Sequence, residues 1–391
     1  MPPLDDLSRL VPDMARWRHA IHAHPETAFE EVKTSALVAE TLAGLGIEVH
    51  RGLAGTGVVG TLKAGSANRA IGLRADMDAL HIQETNGFAH RSTVPGKMHA
   101  CGHDGHTAML LGAAKHLAAT KNFDGIVHFI FQPAEENEGG GRRMVEEGLF
   151  DKFPVEAVFG LHNLPGLALG EFAIRPGPML SAYDIFEIVI EGRGSHAAMP
   201  HQSIDPVPIA AQLVLALQTV VSRGTDPFDA AVVSVTQIHG GDTWNVIPQS
   251  VRVGGTVRTF DPALQDRIEA EIGRMARDIP AAFGAKASLR YERRYPATVN
   301  HPAETEQAAA AAQTAAGPAG KVHRDKRPLM GSEDFAFMLQ ARPGAFIFLG
   351  NGAGDGGCML HNPGYDFNDR ILATGAGYWV SLVESLLPAR G

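Results

Sequence analysis

The chain has 391 residues, 45% of them hydrophobic and 20% charged, a composition that excludes a disordered polymer and supplies material for two substantial cores. A formal charge of −9 without a long lysine/arginine block argues against nucleic acid as a partner, and no apolar run approaches the ~20 residues needed to cross a bilayer. The start lacks a basic stretch followed by an apolar block, and Cys101 and Cys358 are the only thiols, so the expectation is a cytoplasmic protein with free cysteines.

Leu7, Leu10, Met14, Trp17 and Ile21 recur at spacings of three and four, which puts them on one face of an amphipathic helix. A second helix runs through EEVKTSALVAETLAGL and stops near Gly44 and Gly46. The segments IEVHR, GVVGTLKA and AIGLRADMDAL then read as strands separated by glycine turns. From TAMLLGAAKHLAAT (helix) to GIVHFIFQP (strand), GGRRMVEEGLF (helix) and AVFGLHN (strand), the alternation is that of an α/β layer with covering helices.

The pattern changes after Pro178. Strand YDIFEIVIEG, helix DPVPIAAQLVLALQTVVSRG, strands AAVVSVTQIHGG and VRVGGTVRTF, helix PALQDRIEAEIGRMARDIPAAFG and strand ASLRYERRYPATV follow the β-α-β-β-α-β order of a ferredoxin-like unit. Beyond His301 the α/β alternation resumes in GSEDFAFMLQARPG, AFIFLGNG and RILATGAGYWVSLVESLL, while alanine-rich EQAAAAAQTAAG is expected to be a surface helix. The predicted fold is therefore an α/β domain with a central mixed sheet, residues 1–179 and 299–391, interrupted by an inserted ferredoxin-like α+β domain over 180–298.

Chemistry concentrates in a few places. His99 to His106 packs three imidazoles, a thiol and a carboxylate into eight residues. Cys101 and His103 are two apart, so on an extended backbone they would face one ion; a glycine-rich turn capping the next helix is the other reading. Glu135 and Glu136 follow a buried-looking strand, where adjacent side chains would point opposite ways. One could then hold a cation and the other a water, or both could be a charged helix start. His162 and His361 each follow apolar residues at an expected strand end, completing five or six ligands, the number a two-metal site needs. Asp76 and Asp78 occupy another expected strand end, where carboxylates orient ligating imidazoles or sit in a solvated loop.

The motifs LRADMDAL, MHACGHDGHTAMLLGAA, FQPAEE, GLHNLP, GRGSHAAMPHQSIDPV, GGDTWNVIP, MGSEDFAF and LHNPGYDFND, in this order over nearly the whole chain, resemble those of the aminoacylase, hippurate hydrolase and auxin-conjugate amidohydrolase family of metallopeptidases. The resemblance implies two divalent ions, zinc or manganese, held by Cys101, His103, Glu136, His162 and His361, with Glu135 as general base and Asp78 behind the ligands. It implies that His196 and Asn245 of the inserted domain reach an active site and bind substrate, with Arg258 as a carboxylate clamp; a solvated strand arginine is its other reading. The inserted domain is expected to act as a lid and dimer interface, each copy lending His196 to its neighbour. The implied activity is hydrolysis of a small N-acyl amino acid. A dipeptidase of the same family and a metal-binding protein without catalysis are the alternatives, the latter disfavoured because Glu135 has no use in binding alone.

Overall fold

Apolar runs such as Ala70–Asp76 and Ala157–Pro165, buried at every residue, are central strands in the computed structural model, which describes residues 7–352 and 358–389. The chain divides into two units, one of Met1–Met179, Thr298–Arg327 and Asp334–Gly391 and the other of Leu180–Ala297 and Pro328–Glu333. The first opens with helices α1 (Val11–Ala23) and α2 (Val32–Gly44) and strands β1 (Glu48–Leu53), β2 (Gly57–Ala64) and β3 (Ala70–Asp76). Helix α3 (His103–Thr120), strand β4 (Gly125–Gln132), helices α4 (Gly140–Glu146) and α5 (Leu149–Lys152), and strands β5 (Ala157–Pro165), β6 (Phe172–Ala173) and β7 (Gly177–Leu180) follow.

The second unit carries β8 (Tyr183–Glu191), β9 (Ser195–His196), α6 (Pro206–Ser222), β10 (Ala231–His239), β11 (Val246–Ile247), β12 (Ser250–Thr259), α7 (Pro262–Ala282) and β13 (Lys286–Tyr295). Its four-stranded antiparallel sheet has the order β10-β12-β8-β13, the ferredoxin-like arrangement. The helices α6 and α7 begin with Asp205 and Asp261, whose carboxylates accept the N–H two residues on and cap each first turn. The chain returns to the first unit in β14 (Thr298–Asn300), α8 (Pro302–Ala316), β15 (Val322–His323), α9 (Ala336–Ala341), β16 (Gly344–Gly352) and α10 (Leu372–Leu386).

The sheet of the first unit is eight-stranded, in the order β1-β2-β4-β3-β5-β16-β6-β15. Its centre, β4-β3-β5-β16, is parallel, and the flanks bring in antiparallel pairs, so the sheet is mixed. Parallel strands bury both faces, which is why these segments read as continuous apolar runs. The parallel register also sends the chain out at the carboxyl ends of β3, β4, β5 and β16 on one edge, the place where open α/β sheets put their ligands.

Two segments differ from the sequence expectation. ASLRYERRYPATV is not one strand: β13 ends at Tyr295 and β14 starts a new pairing with β7. The GSEDFAFMLQARPG helix shrinks to Ala336–Ala341. The alanine-rich segment is a surface helix, with Gln307, Ala310, Gln313 and Thr314 exposed, but most of its alanines face inward. Ala308, Ala309, Ala311, Ala312 and Ala315 are all buried, because side chains this small let α8 lie closely against α10 and β16.

β16 must approach β5 closely where Gly344 pairs with Val158. A Cβ at Gly344 would lie 2.0 Å from the Val158 carbonyl oxygen, which only a backbone shift can relieve. Gly344→Ala is therefore expected to destabilise the first unit by about 1–3 kcal/mol, read as an earlier urea transition by circular dichroism.

Candidate metal centre

β3 ends at Asp76, with Asp78 two residues on; β4 ends at Gln132, ahead of Glu135 and Glu136; β5 carries His162. Cys101 and His103 enter at the start of α3, behind Gly102 at φ +94°. That turn needs glycine, since a Cβ there would also meet the Asn163 amide nitrogen at 2.2 Å. His361 is held in a loop at φ +64°, its N–H donating to the Ala100 carbonyl at 2.8 Å.

The seven residues expected around the ions in the first unit come together, by routes the sequence did not indicate. Glu135 and Glu136 are not on extended backbone: Ala134 turns left-handed at φ +53°, and the glutamates sit in the tight loop that follows. Cys101 and His103 converge through the Gly102 turn rather than along a strand. His162 lies within β5 rather than at its last residue, and His361 lies in a loop rather than at a strand end.

Donor atoms of Cys101, His103 and His162 all lie within 4.8 Å of one another, and so do those of Cys101, Glu136 and His361. Two donors each ~2.0–2.3 Å from one ion are necessarily within about 4.6 Å of each other, so both groups have the span of a metal site. His103 also groups with Glu135 and Glu136 at the same spacing, and Glu136 Oε1 is 3.0 Å from His361 Nε2.

The imidazoles are oriented for ligation. His103 Nδ1 faces Asp78 Oδ1 at 3.3 Å, which leaves Nε2, buried and without a hydrogen-bond partner among the described residues, as the donor. His162 Nδ1 donates to the Asn163 carbonyl at 2.7 Å, leaving Nε2 3.4 Å from Cys101 Sγ. Burial pushes the Cys101 thiol well above its ordinary range, and the charges of Glu136, Glu135 and Asp76 push it further. Burial opposes protonation of His103, yet Asp76 and Asp78 lift it to about 10. The carboxylates' share of both shifts expresses negative charge that a divalent cation would neutralise, so the residues fit such an ion.

Support comes from Asp76, one of the two carboxylates expected to orient imidazoles, and from groups that spacing did not single out. Asp76 is tied to His106 Nδ1 at 2.6 Å and to Arg74 at 2.6 Å, and Arg74 reaches Asp334 at 3.1 Å. His106 Nε2 accepts the Asn163 N–H at 3.0 Å, and the Asn163 amide donates to the Cys101 carbonyl at 2.7 Å. A further buried network starts from Arg18, which pairs with Asp104 at 3.1 Å, Asp366 at 3.0 Å and Asp369. Arg18 and His22 are one helical turn apart, and that spacing of two polar groups on an otherwise apolar face was the available signal.

β9 pairs with β11, setting His196 opposite Val246, and the Ala197 N–H donates to the Asn245 carbonyl at 3.0 Å, so His196 and Asn245 are neighbours. They line one open cleft with His239 and Arg252. The Ala198 N–H donates to His196 Nδ1 at 3.1 Å, which puts the proton of the neutral ring on Nε2. Arg258 is not a solvated strand arginine: it is half-buried, stacked 4.0 Å over Tyr183 and bonded to Ser332 Oγ at 2.9 Å.

Residues 72–385 match Peptidase family M20/M25/M40. The chain belongs to that family. A hippurate hydrolase from Campylobacter jejuni is 39% identical over 384 residues, covering 98% of this chain and 99% of its own. An N-acetyl-L-cysteine deacetylase from Bacillus subtilis is 38% identical over 383 residues, covering 98% of this chain and 90% of its own. Among solved structures, a dinuclear metal-binding peptidase of the M20 family from Bacillus subtilis superposes with a TM-score of 0.84 at 34% identity, covering 97% of this chain and 99% of that one. This M20 chain is accordingly a hydrolase acting on amide bonds, and among its described residues no helix is long and apolar enough to cross a membrane.

The Arg18 network gives this M20 peptidase a stability that depends on pH. Burial alone would lower the His22 pKa, but its hydrogen bond and charge interaction with Asp104 at 2.8 Å, with help from Glu84, raise it from 6.5 to about 9. The folded chain thus keeps a proton that the unfolded chain has released. The stabilisation is complete below pH 6.5 and disappears as pH rises through about 9. Urea denaturation from pH 6 to 10 should show the wild type losing on the order of 2–3 kcal/mol more than His22→Gln.

Proposed function

We propose that the chain is a dinuclear metal-dependent amidohydrolase that cleaves N-acyl amino acids into a carboxylic acid and a free amino acid. The observation that carries this reading is the sharing of Cys101 by two donor groups, one with His103 and His162 and one with Glu136 and His361, beside a glutamate, Glu135, that neither group needs. The relatives support the substrate class, since a hippurate hydrolase and an N-acetyl-L-cysteine deacetylase both free an amino acid from an acyl group. Thiolate and imidazole favour zinc on softness, and the carboxylates also admit manganese.

Cys101, His103, His162, Glu136 and His361 would hold the ions. Divalent cations held there supply Lewis-acid polarisation of a carbonyl and lower the pKa of water towards ~7. Glu135 takes the proton of the attacking water and returns it to the departing amine. Asp78 holds the His103 ring and both glutamate N–H groups in place. His196, protonated on Nε2, donates to the developing oxyanion, Asn245 binds the substrate carbonyl or carboxylate, and Arg258 clamps the carboxylate.

The domain at 180–298 acts as lid and dimer interface, and residues 1–179 with 299–391 as catalytic domain. β10 is an edge strand of its sheet, and the second unit exposes Leu215, Phe228, Ile238, Trp244 and Val246, the kind of surface a second copy covers. The active unit is then a homodimer in which each site receives His196 from the other copy. The free thiols of Cys101 and Cys358 support a cytoplasmic location.

Chelation should abolish turnover of hippurate and N-acetyl amino acids, and divalent metal should restore it. Glu135→Gln should lower kcat by ~10²–10⁴-fold with metal content unchanged, whereas Glu136→Gln should lose metal as well. Elemental analysis beside an assay that includes dipeptides decides the matter: full activity without metal, or turnover of dipeptides alone, would overturn the reading.

Mixing the inactive His196→Ala and Glu135→Gln chains tests the shared site. A heterodimer has one intact composite site, so up to about half of the activity per dimer should return. Verified subunit exchange with no return of activity would confine His196 to its own chain.

A further inference from the structure

Glu31 lies at the end of the turn leading into α2, with 0% of its surface exposed and, among the described residues, no ion-pair partner. A carboxylate buried in this way is costly unless its oxygens are used. They are: Oε1 accepts the N–H of Phe29 at 3.0 Å and of Ala134 at 2.9 Å, and Oε2 accepts the Thr56 hydroxyl at 2.6 Å. Burial, with a smaller push from Asp78 and against the Thr56 bond, raises its pKa to about 7. Phe29 and Ala134 are both non-glycine residues with left-handed backbones, at φ +63° and +53°. Such residues persist only where their surroundings impose the conformation, and they cluster at functional sites.

Ala134 immediately precedes Glu135. Its N–H is held by Glu31, the next two N–H groups are held by Asp78 at 3.0 Å each, and its carbonyl accepts the Gly140 N–H at 2.9 Å. The geometry points to Glu31 as a positioning residue for this hydrolase, fixing the left-handed turn at Ala134 from which the Glu135 side chain is launched. Asp78 holds the backbone N–H groups of the two glutamates after the turn; Glu31 secures the turn itself. The inference rests on the reading of Glu135 as general base.

Replacement by leucine removes the acceptor and lets Ala134 relax, whereas glutamine keeps it, with its carbonyl on the two N–H groups and its amide donating to Thr56 Oγ1. Glu31→Leu should lower kcat by roughly 5–30-fold, the cost of one left-handed residue expressed as a population, with KM and metal content unchanged. Glu31→Gln should stay within about threefold of wild type, because the acceptor is conserved. Adding Ala134→Gly to Glu31→Leu should recover part of the lost kcat, because glycine adopts a positive φ without help. Should the leucine variant be insoluble, Glu31→Asp, one methylene too short to hold both N–H groups, carries the comparison.

Rates are to be expressed per metal-loaded chain, with KM and metal stoichiometry measured beside them. Wild-type kcat in the leucine or aspartate variant, a parallel fall of kcat and metal content, or no recovery with glycine would each overturn the assignment. Glu135→Gln is the internal reference. If it is inactive while Glu31→Leu is fully active, the positioning role alone falls; if it is active, the general-base reading falls and the inference with it.

Discussion

One carboxylate, that of Asp78, holds the candidate centre together. Its Oδ1 takes the Glu135 N–H and faces His103 Nδ1, and its Oδ2 takes the Glu136 N–H. A ligating ring and two adjacent acids from different segments are thereby referred to one rigid point just past the end of a central strand. The parallel sheet makes this possible, because β3 and β4 are neighbours in register, with Asp76 opposite Gln132. Whatever leaves their carboxyl ends emerges together.

Around that point the protein accepts a large electrostatic cost. Asp76, Asp78, Asp104 and Asp334 are all almost wholly buried; Arg74 pairs with Asp76 and Asp334 and Arg18 with Asp104, while Asp78 faces His103. Removing one member of such a network leaves an uncompensated buried charge, so its members depend on one another far more than exposed ion pairs do. The surplus of negative charge that remains at Cys101 and His103 makes a cation welcome there without drawing on surface residues.

Much of this was legible in the sequence. The crowding of His99 to His106, the paired glutamates and the two α/β stretches around a β-α-β-β-α-β insert gave the fold class and the residues that gather in the first unit. The local backbone was not legible. Nothing in the residue type of Ala134 or Phe29 announces a left-handed conformation, since alanine and phenylalanine ordinarily avoid it and adopt it only under tertiary constraint. The Arg18 network escaped for a related reason: its carboxylates, Asp104, Asp366 and Asp369, are remote in sequence from Arg18. Arg258 looked like any strand arginine because its partner Tyr183 lies on another strand.

The alanine face of α8 carries a last consequence. Alanines bury little apolar area each, so the seam between α8 and α10 draws its strength from nearness of backbone to backbone. Ala315 Cβ lies 3.8 Å from where a side chain on Gly377 would begin, van der Waals contact for a methyl group with no room for a larger one. A stretch that looks like the most permissive in the sequence is thus a close-tolerance joint, where conservative enlargement to valine or leucine would act as a wedge while polar changes on the outward face would pass unnoticed.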